Sequence, residues 1–286
     1  MNTQIPLGNS GKQVLPIGLG AMPLSLDTRP DEATAIEVIR VFVNGGGNFI
    51  DTANVYCIDD NDVGHNEKLI HKALVKLGKR EDVIVATKGG LTRPKGRWDT
   101  NASPAWLRKS CEKSLNDLNT DCIFLYQLHA PDPDIPLTES IGELARLKEE
   151  GKIQHIGLSN VNTREIMTAM TVAPILSVQN RCNVLEKKSF KTGVVDLCEK
   201  ENILFIPHSP VGGHFDHKKL SESKPLKSIA DKHRVSVYRI VLAWLLHKGS
   251  HILPIPGASK VSSITDNLKA VNVRLDTGDM MALDQL

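Results

Sequence analysis

The chain has 286 residues, 41% of them hydrophobic and 24% charged, a composition that supports a large buried core and excludes a disordered chain. Lys and Arg number 35 against 33 Asp and Glu; the net charge of +2 is spread along the length, leaving no basic face for nucleic acid and no polybasic membrane patch. The opening MNTQIPLGNSGKQV is polar, and no window reaches the roughly 18 uninterrupted apolar residues of a membrane span, so a cytoplasmic protein is expected. Cys57, Cys111, Cys122, Cys182 and Cys198 are scattered, with no CxxC pair. They read as reduced core thiols, and no metal site is expected.

In chain order, IPLGNSGKQVLPIG reads first as a small hairpin turning at Asn9-Ser10-Gly11, able to plug the N-terminal end of a barrel, or else as a frayed terminus. Strand candidates then fall at 15–21, 48–51, 83–88, 122–129, 153–159, 175–179, 203–208 and 251–256. Amphipathic helix candidates fall between and after them, at 31–44, 66–77, 104–118, 138–149, 163–170, 188–200, 235–247 and 261–270. Near-continuous apolar strands are buried on both faces, and alternation with helices implies parallel crossovers. Eight such units predict a single-domain α/β fold, a (β/α)8 TIM barrel over 1–286, with an open doubly wound sheet as the competing layout. The glycines of Gly18-Leu19-Gly20 lack the third glycine and the later acid of a dinucleotide fingerprint, and read as a tight turn at the end of the first strand.

Four polar residues sit at strand ends or just beyond: Asp51, Tyr56, Lys88 and His129. In a barrel these positions share the C-terminal rim, where catalytic groups gather from neighbouring strands. A phenol is a poor proton donor unless a nearby cation lowers its pKa, and Lys88 can supply that cation while Asp51 holds it in place. His129 can polarise a carbonyl oxygen, so the set suits protonating an oxygen as charge develops on it. Taken singly, such an Asp caps a turn, such a Lys is solvated and such a His is structural. His65 and His71, on a polar helical stretch, read as surface residues.

The segments DTANVY, VATKGG, YQLHAPDP, HIGLSN and LPIPGASKVSSITDN resemble those of the aldo-keto reductase family, in order, over essentially the whole chain. The resemblance implies a barrel that binds NADPH in an extended pose without a Rossmann domain, NADH being the alternative. It implies the tetrad Asp51, Tyr56, Lys88 and His129, with Tyr56 the general acid in carbonyl reduction or the base in alcohol oxidation. It carries Ser159, Asn160 and Gln179 over as holders of the nicotinamide carboxamide, and their side chains can pair with an amide. His208 stands where the family stacks an aromatic ring on the nicotinamide, and Ser209 and Gly212 lie in the loop implied to cross the pyrophosphate. Gly257, Ser259, Lys260 and Ser263 match the segment facing the 2′-phosphate, without the family's arginines, and Asp266-Asn267 match the adenine-binding acid and amide. A lysine offers a point charge there and no bidentate fork.

Met22, Leu24 and Trp98 are expected around a small-molecule carbonyl substrate; Trp98, in a long loop, can cover it or pack on its own barrel. The acidic loop with Asp59, Asp60 and Asp62 discourages anionic substrates if it folds over the mouth, and is otherwise a solvated loop. Two readings of other classes compete: a nucleotide-binding regulatory barrel with little turnover, and a non-redox isomerase or lyase on the same fold.

Overall fold

Why these residues build a barrel is visible in the strands, which are short, apolar and paired in sequence order. The computed structural model describes residues 4–286. An antiparallel hairpin, β1 (Ile5–Pro6) and β2 (Gln13–Val14), precedes β3 (Leu19–Gly20), β4 (Phe49–Asp51) and β5 (Ile84–Gly89). A second antiparallel hairpin, β6 (Leu91–Thr92) and β7 (Asp99–Thr100), lies within the loop after β5. Then follow β8 (Ile123–Leu128), β9 (Ile153–Ser159), β10 (Ile175–Arg181) and β11 (Leu204–His208). Seven of these form one parallel sheet in the order β11-β10-β9-β8-β5-β4-β3.

The expected eighth strand at 251–256 makes only isolated parallel bridges, Phe205 with Ile252 and Gly20 with Gly257. The reason is chemical: Pro254 and Pro256 have no N–H to donate to a ladder. Their carbonyls still accept from Gly18 N (3.0 Å) and Gly20 N (3.1 Å), and Leu253 N donates to Phe205 O (2.9 Å), which closes the wall. The expected turn at Gly18-Leu19-Gly20 is instead part of this seam. A Cβ on Gly20 would stand 2.7 Å from Ile255 O, so glycine lets the two backbones approach.

Helices surround the sheet. The first five are α1 (Glu32–Asn44), α2 (His65–Leu77), α3 (Pro104–Leu118), α4 (Leu137–Glu149) and α5 (Thr163–Met170). The starts are encoded locally: Asp31 caps α1, Ser103 followed by Pro104 opens α3, and Asn162 with Glu165 forms a capping box on α5. The helix expected at 188–200 is split into α6 (Lys188–Lys191) and α7 (Val194–Lys200), because Gly193 takes φ +74°. Next come α8 (Gly213–Glu222), α9 (Lys224–His233), α10 (Val237–His247), α11 (Val261–Leu268) and α12 (Thr277–Asp284); α8, α9 and α12 were not anticipated.

The larger core lies between helices and sheet. A second fills the barrel's lower interior, where Ile5, Leu7 and Val14 of the hairpin meet Phe49, Ala86, Leu125 and Leu204, so the hairpin is the expected plug. Free thiols follow the same logic: four cysteines are buried, and Cys122 is exposed against expectation. No helix among the described residues is long and apolar enough to cross a membrane.

Candidate active site

Successive residues of a strand point to opposite faces, so positions two apart share one. Phe49, Ala86 and Leu125 belong to the apolar lower interior; two residues further along the same strands stand Asp51, Lys88 and Gln127. A polar layer therefore sits directly on the apolar one, and all three residues are buried.

Lys88 Nζ donates to Asp51 Oδ1 (2.5 Å), to Thr52 O (2.9 Å) and to the Tyr56 hydroxyl (2.9 Å), which satisfies all three of its N–H donors. The other carboxylate oxygen, Asp51 Oδ2, accepts from Gln179 Nε2 (2.8 Å) and Gln127 Nε2 (3.1 Å). Gln127 was missed by the sequence reading, although its place two residues before His129 put it on the same face. Burial opposes the charge on Lys88, but Asp51 and Tyr56 more than offset this and its pKa lies above the ordinary value. Tyr56 departs from expectation. Burial raises its pKa, and Lys88 only moderates the rise.

The His129 ring meets the Tyr56 ring edge-on at 5.7 Å. Burial, then the charges of Lys88 and His208, hold the His129 pKa well below its usual value, so the imidazole is neutral, and its Nδ1 has no protein partner. His208, at the end of β11, is pushed down to about 3 by burial and the nearby Lys88 and Arg181 charges. Its Nε2 lies 3.3 Å from Asn160 Oδ1 and its Nδ1 3.2 Å from Ser209 Oγ. Asn160 Nδ2 in turn donates to His129 O (2.9 Å) and Ser159 Oγ (3.1 Å). Ser159, Asn160, Gln179, His208 and Ser209 thus form one continuous polar rim beside the buried Lys88 group. The next turn is glycine by necessity: a Cβ on Gly212 (φ +87°) would lie 2.5 Å from the backbone of Asp216 and His217.

At the far end, Lys260 is an exposed N-cap residue of α11. The Asp266 carboxylate on that helix accepts from Arg239 and from Ser236, at the start of α10. A guanidinium thus reaches α11 from outside the segment where the sequence lacks one. Asn267 is buried with its Nδ2 unpartnered.

Around the mouth, Met22 packs on the Ala53, Val55 and Tyr56 cluster, whereas Leu24 is buried in the main core and is removed from the expected pocket. Trp98 is 45% exposed; its ring meets Tyr56 edge-on at 6.4 Å, and the Arg93 guanidinium lies 4.0 Å over it. The acidic loop is tied down, with Asp62 paired to Arg29 at 2.6 Å and Asp60 accepting from Lys95 N. His65 and His71 are half-buried, not surface residues, and His65 Nδ1 lies 2.8 Å from Ser25 Oγ. Among the described residues no cluster of His, Cys, Asp or Glu could hold a metal ion.

A parallel barrel whose rim combines a buried Lys-Asp pair, a phenol on the lysine and a neutral histidine defines an oxidoreductase of the carbonyl-reducing class. The Aldo/keto reductase family model matches residues 16–286, and the chain belongs to that family. It is 32% identical over 96% of its length to a "Probable aldo-keto reductase 1" from Glycine max, covering 86% of that protein. The thermostable aldo-keto reductase Tm1743, solved with the inhibitor epalrestat, superposes with a TM-score of 0.84 at 30% identity, covering 99% of both chains. An aldo/keto reductase from Klebsiella pneumoniae solved with NADP and acetate shares the fold, with a TM-score of 0.83 at 23% identity over 100% of this chain and 95% of that one. Nothing favours an open sheet, a non-redox isomerase or lyase, or a purely regulatory barrel.

Proposed function

We propose that the protein reduces aldehydes or ketones with NADPH, and runs the reverse oxidation, at the rim formed by Asp51, Tyr56, Lys88 and His129. The carrying observation is the fully buried Lys88 ammonium 2.9 Å from the Tyr56 hydroxyl and 2.5 Å from Asp51. Burial keeps the proton on Tyr56 until it is needed, so the phenol is a loaded acid. When the carbonyl oxygen gains charge, the proton passes to it and the phenolate left behind faces Lys88, which stabilises it. The carboxylate of Asp51, fixed by Gln127 and Gln179, keeps Lys88 charged and aimed. A neutral His129 offers an N–H to the same carbonyl oxygen without competing for the proton.

Bound NADPH supplies the hydride. The chain's residues fit such a group: a rim of amide and hydroxyl side chains at Ser159, Asn160 and Gln179, the flat ring of His208, and the glycine turn leading into α8. Gln179 serves two masters, since its Nε2 is committed to Asp51 and its carbonyl oxygen is what it can offer a carboxamide. Ser259, Lys260 and Ser263 are proposed to face the 2′-phosphate after the Gly257 turn, with Arg239 held on Asp266 of the same helix as a second cation. Asn267, with its free buried Nδ2, is proposed to hold the adenine. This cationic end favours NADPH over NADH. Met22 and Trp98 flank the substrate, and the expected location is the cytoplasm.

The test is oxidation of NADPH and NADH against a panel of aldehydes and ketones, with Tyr56→Phe in parallel. The variant should bind NADPH as the parent does and lose about 10²–10⁴-fold in reduction. Equal loss of cofactor affinity and rate would sink the assignment of Tyr56 as proton donor.

A further inference from the structure

Next to the rim, but containing none of Asp51, Tyr56, Lys88 or His129, lies a cavity of about 330 Å³ between the loop after β4, the loop after β5, and α3. Its polar lining includes Asn54, Arg93, Lys109, Ser110 and Lys113 together with the acid Asp60, and Trp106 forms part of the wall. Three of these polar side chains are more than nine-tenths buried and hold atoms with no protein partner. Arg93 is 5% exposed with Nε and Nη1 unpaired, Asn54 2% with Oδ1 unpaired, and Ser110 3% with Oγ unpaired. Only Nη2 of Arg93 is used, donating to Cys57 O (3.1 Å) and Ile58 O (3.0 Å).

Buried polar atoms are almost always paired, and a guanidinium stripped of water is costly without acceptors. Here three such side chains line one hollow, which is what a site for a polar ligand looks like before the ligand arrives. The charge in the hollow is positive. Arg93, Lys109 and Lys113 outweigh Asp60, the acid in the lining, even after Lys113 is discounted for its 2.6 Å bond to Asp117. Lys109 holds its ammonium 5.4 Å over the Trp106 ring and is exposed, so it sits where it can meet an entering anion. The rest of the wall is largely apolar, with Val55, Val63 and Pro94 among the lining residues.

We propose that this cavity binds a small organic anion, a carboxylate or phosphate ester on an apolar, ring-sized body. The anionic group pairs with the free N–H groups of Arg93 and with Lys109, and the body lies along Trp106. The site communicates with the rim, since the Arg93 guanidinium that would hold the anion also covers Trp98, whose ring meets Tyr56. Occupancy fixes Arg93 and with it Trp98 over the substrate mouth. This last consequence rests on the reductase reading; binding itself does not.

The test uses phenyl phosphate and benzoate as probes, titrated into the full-length protein by calorimetry with saturating NADPH present, and benzyl alcohol as the neutral control. The expected result is saturable binding of at least one anion in the millimolar range or tighter, with none for the alcohol. Lys109→Glu, a surface change on α3, should weaken it at least about tenfold while leaving the melting temperature and NADPH binding unchanged. Arg93→Gln should abolish it, and if that variant fails to fold, Lys109→Glu decides alone. Absence of saturable binding, or equal affinity in Lys109→Glu, overturns the site. Affinity that appears only when NADPH is omitted overturns it too, because the probe would then occupy the cofactor groove. Tyr56→Phe should bind the probes as the parent does, so loss of turnover and loss of this site are read separately. Whether phenyl phosphate or benzoate binds more tightly identifies the anionic group.

Discussion

Glu67 on α2 is a buried acid that the proposed chemistry does not use, and it gives the structure a pH signature of its own. Its Oε1 accepts from Thr87 Oγ1 at 2.6 Å, and the Ser114 hydroxyl stands close by. Burial pushes its pKa from 4.5 up to about 7, against the lowering effect of the Thr87 and Ser114 hydroxyls, with Asp117 adding to the rise and Lys113 opposing it. An acid whose folded pKa exceeds the unfolded one holds its proton in the native state over a window where the unfolded chain has released it. Stability therefore falls as pH climbs from about 4.5 to about 7 and is flat, for this group, on either side. The displacement from 4.5 to about 7 corresponds to about 3 kcal/mol at pH 8, at about 1.36 kcal/mol per unit. Replacing the acid by its uncharged isostere, Glu67→Gln, removes this dependence. Urea unfolding of parent and variant at pH 5 and pH 8 measures it as a difference of differences. The variant should gain about 2–3 kcal/mol relative to the parent on going from the lower to the higher pH, since a little of the effect is already spent at pH 5. A gap between the two proteins that does not change with pH would refute the claim that Glu67 is folded around its protonated form.

Removing one partner of the Lys88 pair should be costly: Asp51→Asn leaves a buried ammonium short of its counter-charge and should lose about 3–5 kcal/mol in denaturant unfolding. Gly20→Ala drives a methyl into Ile255 O at the barrel seam and should cost about 1–3 kcal/mol, read as a lower urea midpoint with an unchanged slope. Because the His129 pKa is depressed, the imidazole stays neutral as pH falls through 6.5, so kcat/KM for reduction should show no break near that value. A break there would place a charged His129 in the free enzyme.

The parts of the site legible in the sequence are those fixed by strand periodicity. Asp51, Lys88 and His129 announce themselves because a polar residue ends an apolar run, and parallel pairing in sequence order must bring such ends to one rim. Gln127 obeyed the same rule and was overlooked because an amide between two apolar residues looks unremarkable beside a histidine. What the sequence could not convey was set by partners distant in the chain. Leu24 follows a mouth residue by two positions but turns into the helical core through a 3₁₀ turn at Met22–Leu24. Arg239 lies 27 residues before Asp266, and only the packing of α10 on α11 brings a guanidinium to that carboxylate. The eighth strand failed for a local reason that was legible, the two prolines, although the segment still closes the wall through its carbonyls.

Tyr56 carries the most instructive difference. A nearby ammonium was expected to lower its pKa, and in isolation it does; the net rise comes from burial, which the sequence does not display. The two effects act on different moments of the proposed reaction. Burial disfavours a free phenolate in the resting site, so the acid stays protonated at neutral pH. Lys88, already paid for by Asp51, Thr52 O and the phenol itself, needs no rearrangement when negative charge appears on the Tyr56 oxygen. A tyrosine with its pKa simply lowered would spend part of its time as the base. One that is buried beside a fixed cation is an acid at rest, and the charge left behind as its proton departs is met by Lys88 already in place.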